Sequence, residues 1–307
     1  MRYNEGKKAL EGEGMINALL IAAVILLYTM QSFLCRNYAD RYPGPSGASS
    51  SVFTAVSGFF VVVLSFAVSG FSFAAGGLTL LLGLCNALAL VGYNFFLVKV
   101  SGVGPYSVLI VFSLSGGIAV PALVARFAFG DGISPFKWAS LLLVFVSVYL
   151  VSRRKGEGGI RSRSFFPLCI GLGIANGAYG ALLDVQQRLT GTAEREEMIA
   201  VTFGVAMLFS LLTLGLRERK RFFFAFLQTR RSLLFLLTCS LVVAVAINLL
   251  VYILPLVDTV LLYTFENAGV MLCSVLCSFL FFKERLSLLN VAGCALMAVS
   301  LVGVSVC

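Results

Sequence analysis

Long apolar runs alternate with short polar joints along the whole chain. Cut at those joints, the runs fall at about 15–35, 51–70, 77–99, 104–126, 135–152, 165–187, 197–216, 232–252, 256–282 and 286–306. Each approaches or exceeds the ~20 residues a helix needs to cross a bilayer. The pattern predicts an all-α polytopic membrane protein with ten transmembrane helices. The joints carry helix punctuation. RNYADRYPGPSGASS, 36–50, separates the first two runs. SGVGP ends at Pro105, where a helix can begin without losing a backbone donor. FGDGISP offers Ser134 as an N-cap and Pro135 as the first helical residue. RRKGEGGIRSRS, 153–164, is the longest polar linker and divides the chain near its middle.

Five runs precede that linker and five follow it. The chain therefore divides into an N-terminal tail (1–14), a first five-helix repeat (15–152), a basic linker (153–164) and a second five-helix repeat (165–307). A shift of 153 positions lays Asp131 on Glu284, Ile133 on Leu286 and Ser134 on Ser287, and also Phe112 on Phe265 and Gly116 on Gly269. Helices one and six correspond more loosely, with Tyr28 and Tyr179 at similar depth. Five is odd, so each copy begins on the side where the other ends. The two repeats are expected to be inverted, as in many secondary transporters. Asp131 and Glu284 then read as structural joint residues beside helix starts.

Composition agrees with lipid as the main solvent. Hydrophobic residues make up 59% of the 307, charged residues only 12%, and the mean hydropathy is +0.98. Soluble domains carry roughly 25% charged residues. No polar stretch is long enough to fold alone, and the first apolar run lacks a cleavage site, so it reads as a retained helix. Histidine is absent. The eight cysteines are scattered through apolar sequence, and Cys273 and Cys277, though four apart, have no further ligands nearby. No metal or other cofactor is expected.

Basic residues are unevenly shared between the two sides. The side bearing both termini holds seven of the 23 Lys and Arg; the other holds sixteen, concentrated in the central linker and in 217–231. Basic loops stay in the cytoplasm. The count puts the linker and 217–231 inside an inner or plasma membrane, with both termini outside. The net charge of +9 then faces anionic lipid rather than nucleic acid.

Glu266 is the residue most suggestive of chemistry. It lies eight residues after Asp258 and seventeen before Lys283. At ~1.5 Å per residue it stands ~12 Å from one helix end and ~25 Å from the other. A carboxylate at that depth costs at least ~2.5–3.5 kcal/mol to insert and calls for a polar cavity, a partner, a cation or a proton. It is either a proton- or cation-binding group or a buried Glu that locks helices together. Asn267 and Tyr263 lie beside it on the same helix; Asn248 and Tyr252 lie in helix eight, Asn86 and Asn94 in helix three, Asn176 and Tyr179 in helix six, and Tyr106 and Ser113 in helix four. Any one of them could simply join helices, at ~0.6–2 kcal/mol each. Together they suit a central pocket. The candidate substrate- or proton-binding set is Glu266, Asn267, Tyr263, Asn248, Asn94, Asn176, Tyr179, Ser113 and Tyr106. Lys99, at the end of helix three, either snorkels to the interface or pairs with an anionic substrate or with Glu266. Asp184 and Asp258 read as solvated groups near helix ends.

Ten helices, a five-plus-five repeat and an acidic joint before a short final helix resemble the drug/metabolite transporter superfamily. The final run FFKERLSLLNVAGCALMAVSLVGVSV is similar to the end of its EamA-like branch. The resemblance implies a secondary transporter of a small organic solute, such as a metabolite, amino acid, sugar or cationic drug, often coupled to protons. The acidic residue that small four-helix multidrug members carry in their first helix has no counterpart here; Tyr28, Gln31 and Ser32 are the polar residues of that helix. A fused repeat would let a monomer suffice. The expected partners are the solute and the bilayer. The rival expectations are an intramembrane lipid-modifying enzyme, for which Glu266 lacks an acidic partner at its depth, and a lipid scramblase or channel.

Overall fold

The computed structural model describes residues 2–45, 47–70, 72–130, 132, 134–152, 164–191, 194–217, 226, 229–253, 256–257, 259–283 and 288–306. Among the described residues the chain forms ten α-helices: α1 Arg2–Arg41, α2 Ser49–Val68, α3 Gly77–Ser101, α4 Tyr106–Phe129, α5 Pro135–Ser152, α6 Phe165–Thr190, α7 Arg195–Arg217, α8 Arg230–Ile253, α9 Thr259–Leu280 and α10 Leu288–Val306. Seven of them (α1 to α4 and α6 to α8) are long and apolar enough to cross a membrane. Helices α5, α9 and α10 contribute shorter apolar stretches among the described residues. The protein is thus an all-helical, multi-pass integral membrane protein.

Most boundaries fall at the sequence punctuation. Helix α5 starts on Pro135, and the Ser134 carbonyl accepts the Trp138 N–H. Helix α1 differs. It runs back through residues 2–14, which the sequence pattern leaves as a tail. That segment contains no proline and is rich in Lys, Glu, Ala and Leu, all good helix formers, so an apolar helix continues into it. The joint residues Asp131, Glu284 and Ser287, together with Asp258 and the central linker 153–163, lie outside the described residues.

Helix α4 ends on Gly130, whose φ of 71° closes the helix in the left-handed region, its N–H bonded to the Ala125 carbonyl. Lys283, just beyond α9, has φ 51°. It is the one described non-glycine residue with positive φ, and it lies 153 positions after Gly130.

The core is built from α1 to α4 and α6 to α9. Helix α3 packs on α6 and α7; α8 packs on α1 and α2; α2 packs on α7; α4 packs on α6, and α1 on α9. Helices α5 and α10 pack mainly on each other at the periphery. The closest crossing joins α4 to α6. A Cβ on Gly116 would collide with the Gly173 backbone, and one on Gly177 with the Gly116 carbonyl. Only glycines let the two backbones touch in this way. Gly269 of α9, 153 positions after Gly116, lies against the Ile25 side chain of α1.

The joint between α2 and α3 is tied to the start of α7. The Gly76 N–H donates to Glu194 Oε2 at 2.8 Å. The Thr79 hydroxyl beside it and this N–H hold the Glu194 carboxyl below the usual carboxylate range.

Candidate functional site

A cavity of about 440 Å³ occupies the middle of the eight-helix core, within the range of small-molecule pockets. Helix α3 presents Leu90, Tyr93, Asn94 and Leu97 to it, an i, i+3, i+4, i+7 stripe. Helix α8 presents Val243, Ile247 and Leu250 in the same way. Most of the wall is apolar. Polar groups come from α1 (Tyr28, Gln31, Ser32), α2 (Ser57), α4 (Ser113), α6 (Asn176, Tyr179) and α9 (Glu266, Asn267).

Of the nine residues expected from sequence, six meet in this cavity: Glu266, Asn267, Asn94, Asn176, Tyr179 and Ser113. Tyr263 lies in α9, but its side chain is outside the described set. The other two stand elsewhere. Asn248 is a helix tie: its Oδ1 accepts from Ser65 Oγ of α2 at 3.1 Å, and its Nδ2 donates to the Ala244 carbonyl. The apolar stripe of α8 faces the cavity, and Asn248 is turned about 100° from Ile247. Tyr106 is fully buried one turn beyond the cavity lining of α4. Asn86 and Tyr252, also noted as polar, do not line the cavity. Lys99 lies over the Phe95 ring at 5.3 Å, also outside the lining. Tyr93 and Ser57 belong to the site without having been expected there. The stripe Leu90, Tyr93, Asn94, Leu97 is legible in the sequence once Asn94 is taken as its centre.

Glu266 is partly buried and lines the cavity. Among the described residues its carboxylate has neither a hydrogen bond nor an ion pair. Asn176 Nδ2 donates to the Ser113 carbonyl at 2.9 Å, linking α6 to α4 across the wall. A Cβ on Gly117 would press on that amide, so the glycine makes room for it. Pro121, inside α4, has no N–H to offer the Gly117 carbonyl. Both residues line the cavity.

The lining reaches Ala125 and Arg188, in the last turns of α4 and α6 on the side of the termini. There Asp184 and Arg188 form an ion pair at 2.9 Å, each about a third exposed. Arg188 also lies 4.9 Å from the Phe129 ring centroid. Asp184, expected as a solvated group, is thus a member of the mouth. At the opposite end the lining stops at Ser32 and Ile110. One turn further, the Arg36 guanidinium lies 4.1 Å from the Phe282 centroid and 5.7 Å from that of Tyr106. Phe282 also packs on Tyr106 at 5.3 Å and on Phe33 at 5.4 Å. This cluster joins α1, the start of α4 and the residues after α9 in one plug.

No family model matches the sequence, and no curated protein matches it. The fold is similar to that of a solved structure described only as "Crystal structure of protein", with a TM-score of 0.61 at 13% identity over 94% of this chain and 98% of the other. At that identity the likeness speaks for the fold alone.

Proposed function

We propose that the protein is a secondary active transporter of the drug/metabolite type, moving a small organic solute by alternating access. Its ten helices are read as two inverted five-helix repeats, and Glu266 as the coupling or substrate-binding group. The observation that carries the reading is a central cavity whose lining reaches a partly exposed ion pair at one end and stops short of an arginine–aromatic cluster at the other, with related residues at both ends. Phe282 of the plug lies 153 positions after Phe129 of the mouth. Each ring has an arginine over it, Arg36 from the end of α1 and Arg188 from the end of α6. Inverted repeats let such a pair exchange roles, one end opening as the other shuts.

Two further features support the repeat. Gly130 and Lys283 share the left-handed backbone at the same shift. Helix pairings also survive renumbering by five: α3 on α6 becomes α8 on α1, and α2 on α8 becomes α7 on α3. With the basic loops held in the cytoplasm, the mouth faces outward and the plug inward.

The test is uphill solute movement in proteoliposomes loaded with a pH dye, with amino acids, sugars, nucleosides and organic cations supplied in separate pools. Wild type should drive solute-dependent flux with one pool, and Glu266→Gln should abolish it. Flux that survives the substitution returns Glu266 to a structural role. Solute movement that only runs downhill and never saturates would favour a channel.

A further inference from the structure

We propose that the solute is an organic cation, an amine or quaternary ammonium with an apolar body, bound at the Glu266 carboxylate. This rests on the transporter reading for its physiological sense, but not for its chemistry.

The charges that line the cavity decide the sign. Among the described residues they are Asp184, Arg188 and Glu266. Asp184 and Arg188 neutralise each other at the mouth. Past the mouth, the cavity therefore holds one carboxyl group, that of Glu266, and no cationic side chain among the described residues. Arg36 sits beyond the floor, over the Phe282 ring, and Lys99 over Phe95; neither lines the cavity. A phosphate, sulfate or carboxylate solute would find no cation there to pair with, and it would repel the Glu266 carboxylate strongly whenever that group is ionised in the low-dielectric site.

Two uncharged acceptors on the lining lean the same way. Glu266 offers only acceptor atoms when ionised. The Gly117 carbonyl lacks its helical donor because of Pro121. Gln31 lines the same cavity, and among the described residues its side-chain carbonyl oxygen has no hydrogen-bond partner. Meanwhile the Asn176 amide N–H is already committed to the Ser113 carbonyl. Acceptors in want of a donor suit an ammonium N–H.

The walls exclude a bare metal ion. A hard cation wants a shell of oxygen ligands at ~2–2.6 Å, whereas Phe53, Leu90, Leu114, Phe203, Ile247 and Val270 make up much of this surface. An aromatic ring or alkyl chain fills that space while its charged end stands at Glu266. Tyr93 and Tyr28 on the same wall can add their ring faces to the attraction.

The test is equilibrium binding to the purified full-length protein by isothermal calorimetry. The probes are 2-phenylethylamine, 2-phenylethanol and 3-phenylpropanoate, which differ mainly in charge, followed by a tetraalkylammonium series from methyl to butyl and by K⁺. The amine or one tetraalkylammonium should bind, the alcohol more weakly, and the anion and K⁺ not at all. Glu266→Gln should weaken the cation at least ~30-fold, since removing one partner of a buried charge pair costs 2 kcal/mol or more. Glu266→Asp should keep the preference for cations. Because the wild-type selectivity is read without any variant, a Gln variant that fails to fold leaves the proposal testable. Binding of the anion as tight as that of the amine, unchanged affinity in a folded Glu266→Gln, or no binding by any cation of the series would each overturn it. Cation binding without uphill movement would instead refute transport and leave this inference standing.

Discussion

The plug at the closed end gives the sharpest perturbation. Phe282 meets Arg36, Tyr106 and Phe33 with centroid separations of 4.1, 5.3 and 5.4 Å. A cation over an aromatic face contributes ~0.5–1 kcal/mol when exposed and ~2 or more when desolvated. Arg36 is partly buried, so ~1–2 kcal/mol is a fair range. Each aromatic pair adds ~0.5–1.5 kcal/mol. If these contacts exist only while that end is shut, Arg36→Ala removes ~1–2 kcal/mol from the shut form alone. The equilibrium then moves ~5–30-fold toward opening on the linker side. Phe282→Ala removes all three contacts and should move it at least ~30-fold. Arg36→Lys keeps a cation but loses the flat stack, and should move it less than Arg36→Ala. The assay is labelling of Ser113→Cys in a cysteine-free background, using an impermeant maleimide applied from the linker side. Position 113 lies in the cavity wall above the plug. The labelling rate should rise in the order wild type, Arg36→Lys, Arg36→Ala, Phe282→Ala. Equal rates in wild type and Phe282→Ala would refute the plug as a gate.

Three further outcomes follow from the packing and the joints. Gly116→Ala forces a methyl group onto the Gly173 backbone; overpacking of this kind costs ~1–3 kcal/mol, so the purified variant should melt at lower temperature. Asn86 is fully buried, and among the described residues both its side-chain polar atoms are unpartnered; replacing it with the similarly shaped leucine removes a desolvation penalty of ~1–3 kcal/mol and should raise the melting temperature. Glu194 has a depressed carboxyl pKa, so its tie to Gly76 is present at neutral pH and is lost as pH falls through that lowered value, below the ordinary carboxylate range. Hydrogen exchange at the Gly76 amide, corrected for the intrinsic rate, should therefore lose protection only in strong acid, whereas in Glu194→Gln it should be nearly independent of pH.

The sequence revealed helix positions better than helix faces. Pro135 was plain because proline acts on the backbone itself. The true start of α1 was not, because apolar periodicity ends where the helix does not. Depth alone put Asn248 and Tyr106 in the candidate site. Asn248 failed because its neighbours Val243, Ile247 and Leu250 own the cavity face of α8. Tyr106 failed by a single turn, the turn that separates lining from plug. Glu266 was legible because a charge inside an apolar helix needs a reason wherever it points. The pairing of Arg36 with Phe282 needed coordinates, since α1 and the end of α9 are far apart in the chain.

The glycine crossing of α4 and α6 has a mechanical meaning. Interdigitated side chains resist both sliding and rotation, because each knob must leave its hole. Where Gly116 meets Gly173 and Gly177, there are no knobs. Towards the mouth α4 and α6 meet again through Val120 on Gly177 and Arg188 over Phe129, but here the two backbones touch directly. Such a contact behaves as a fulcrum: it transmits load without fixing the angle between the two rods. A small change in that angle becomes a larger change in aperture at Ala125 and Arg188, because the lever arm runs for the remaining turns of both helices.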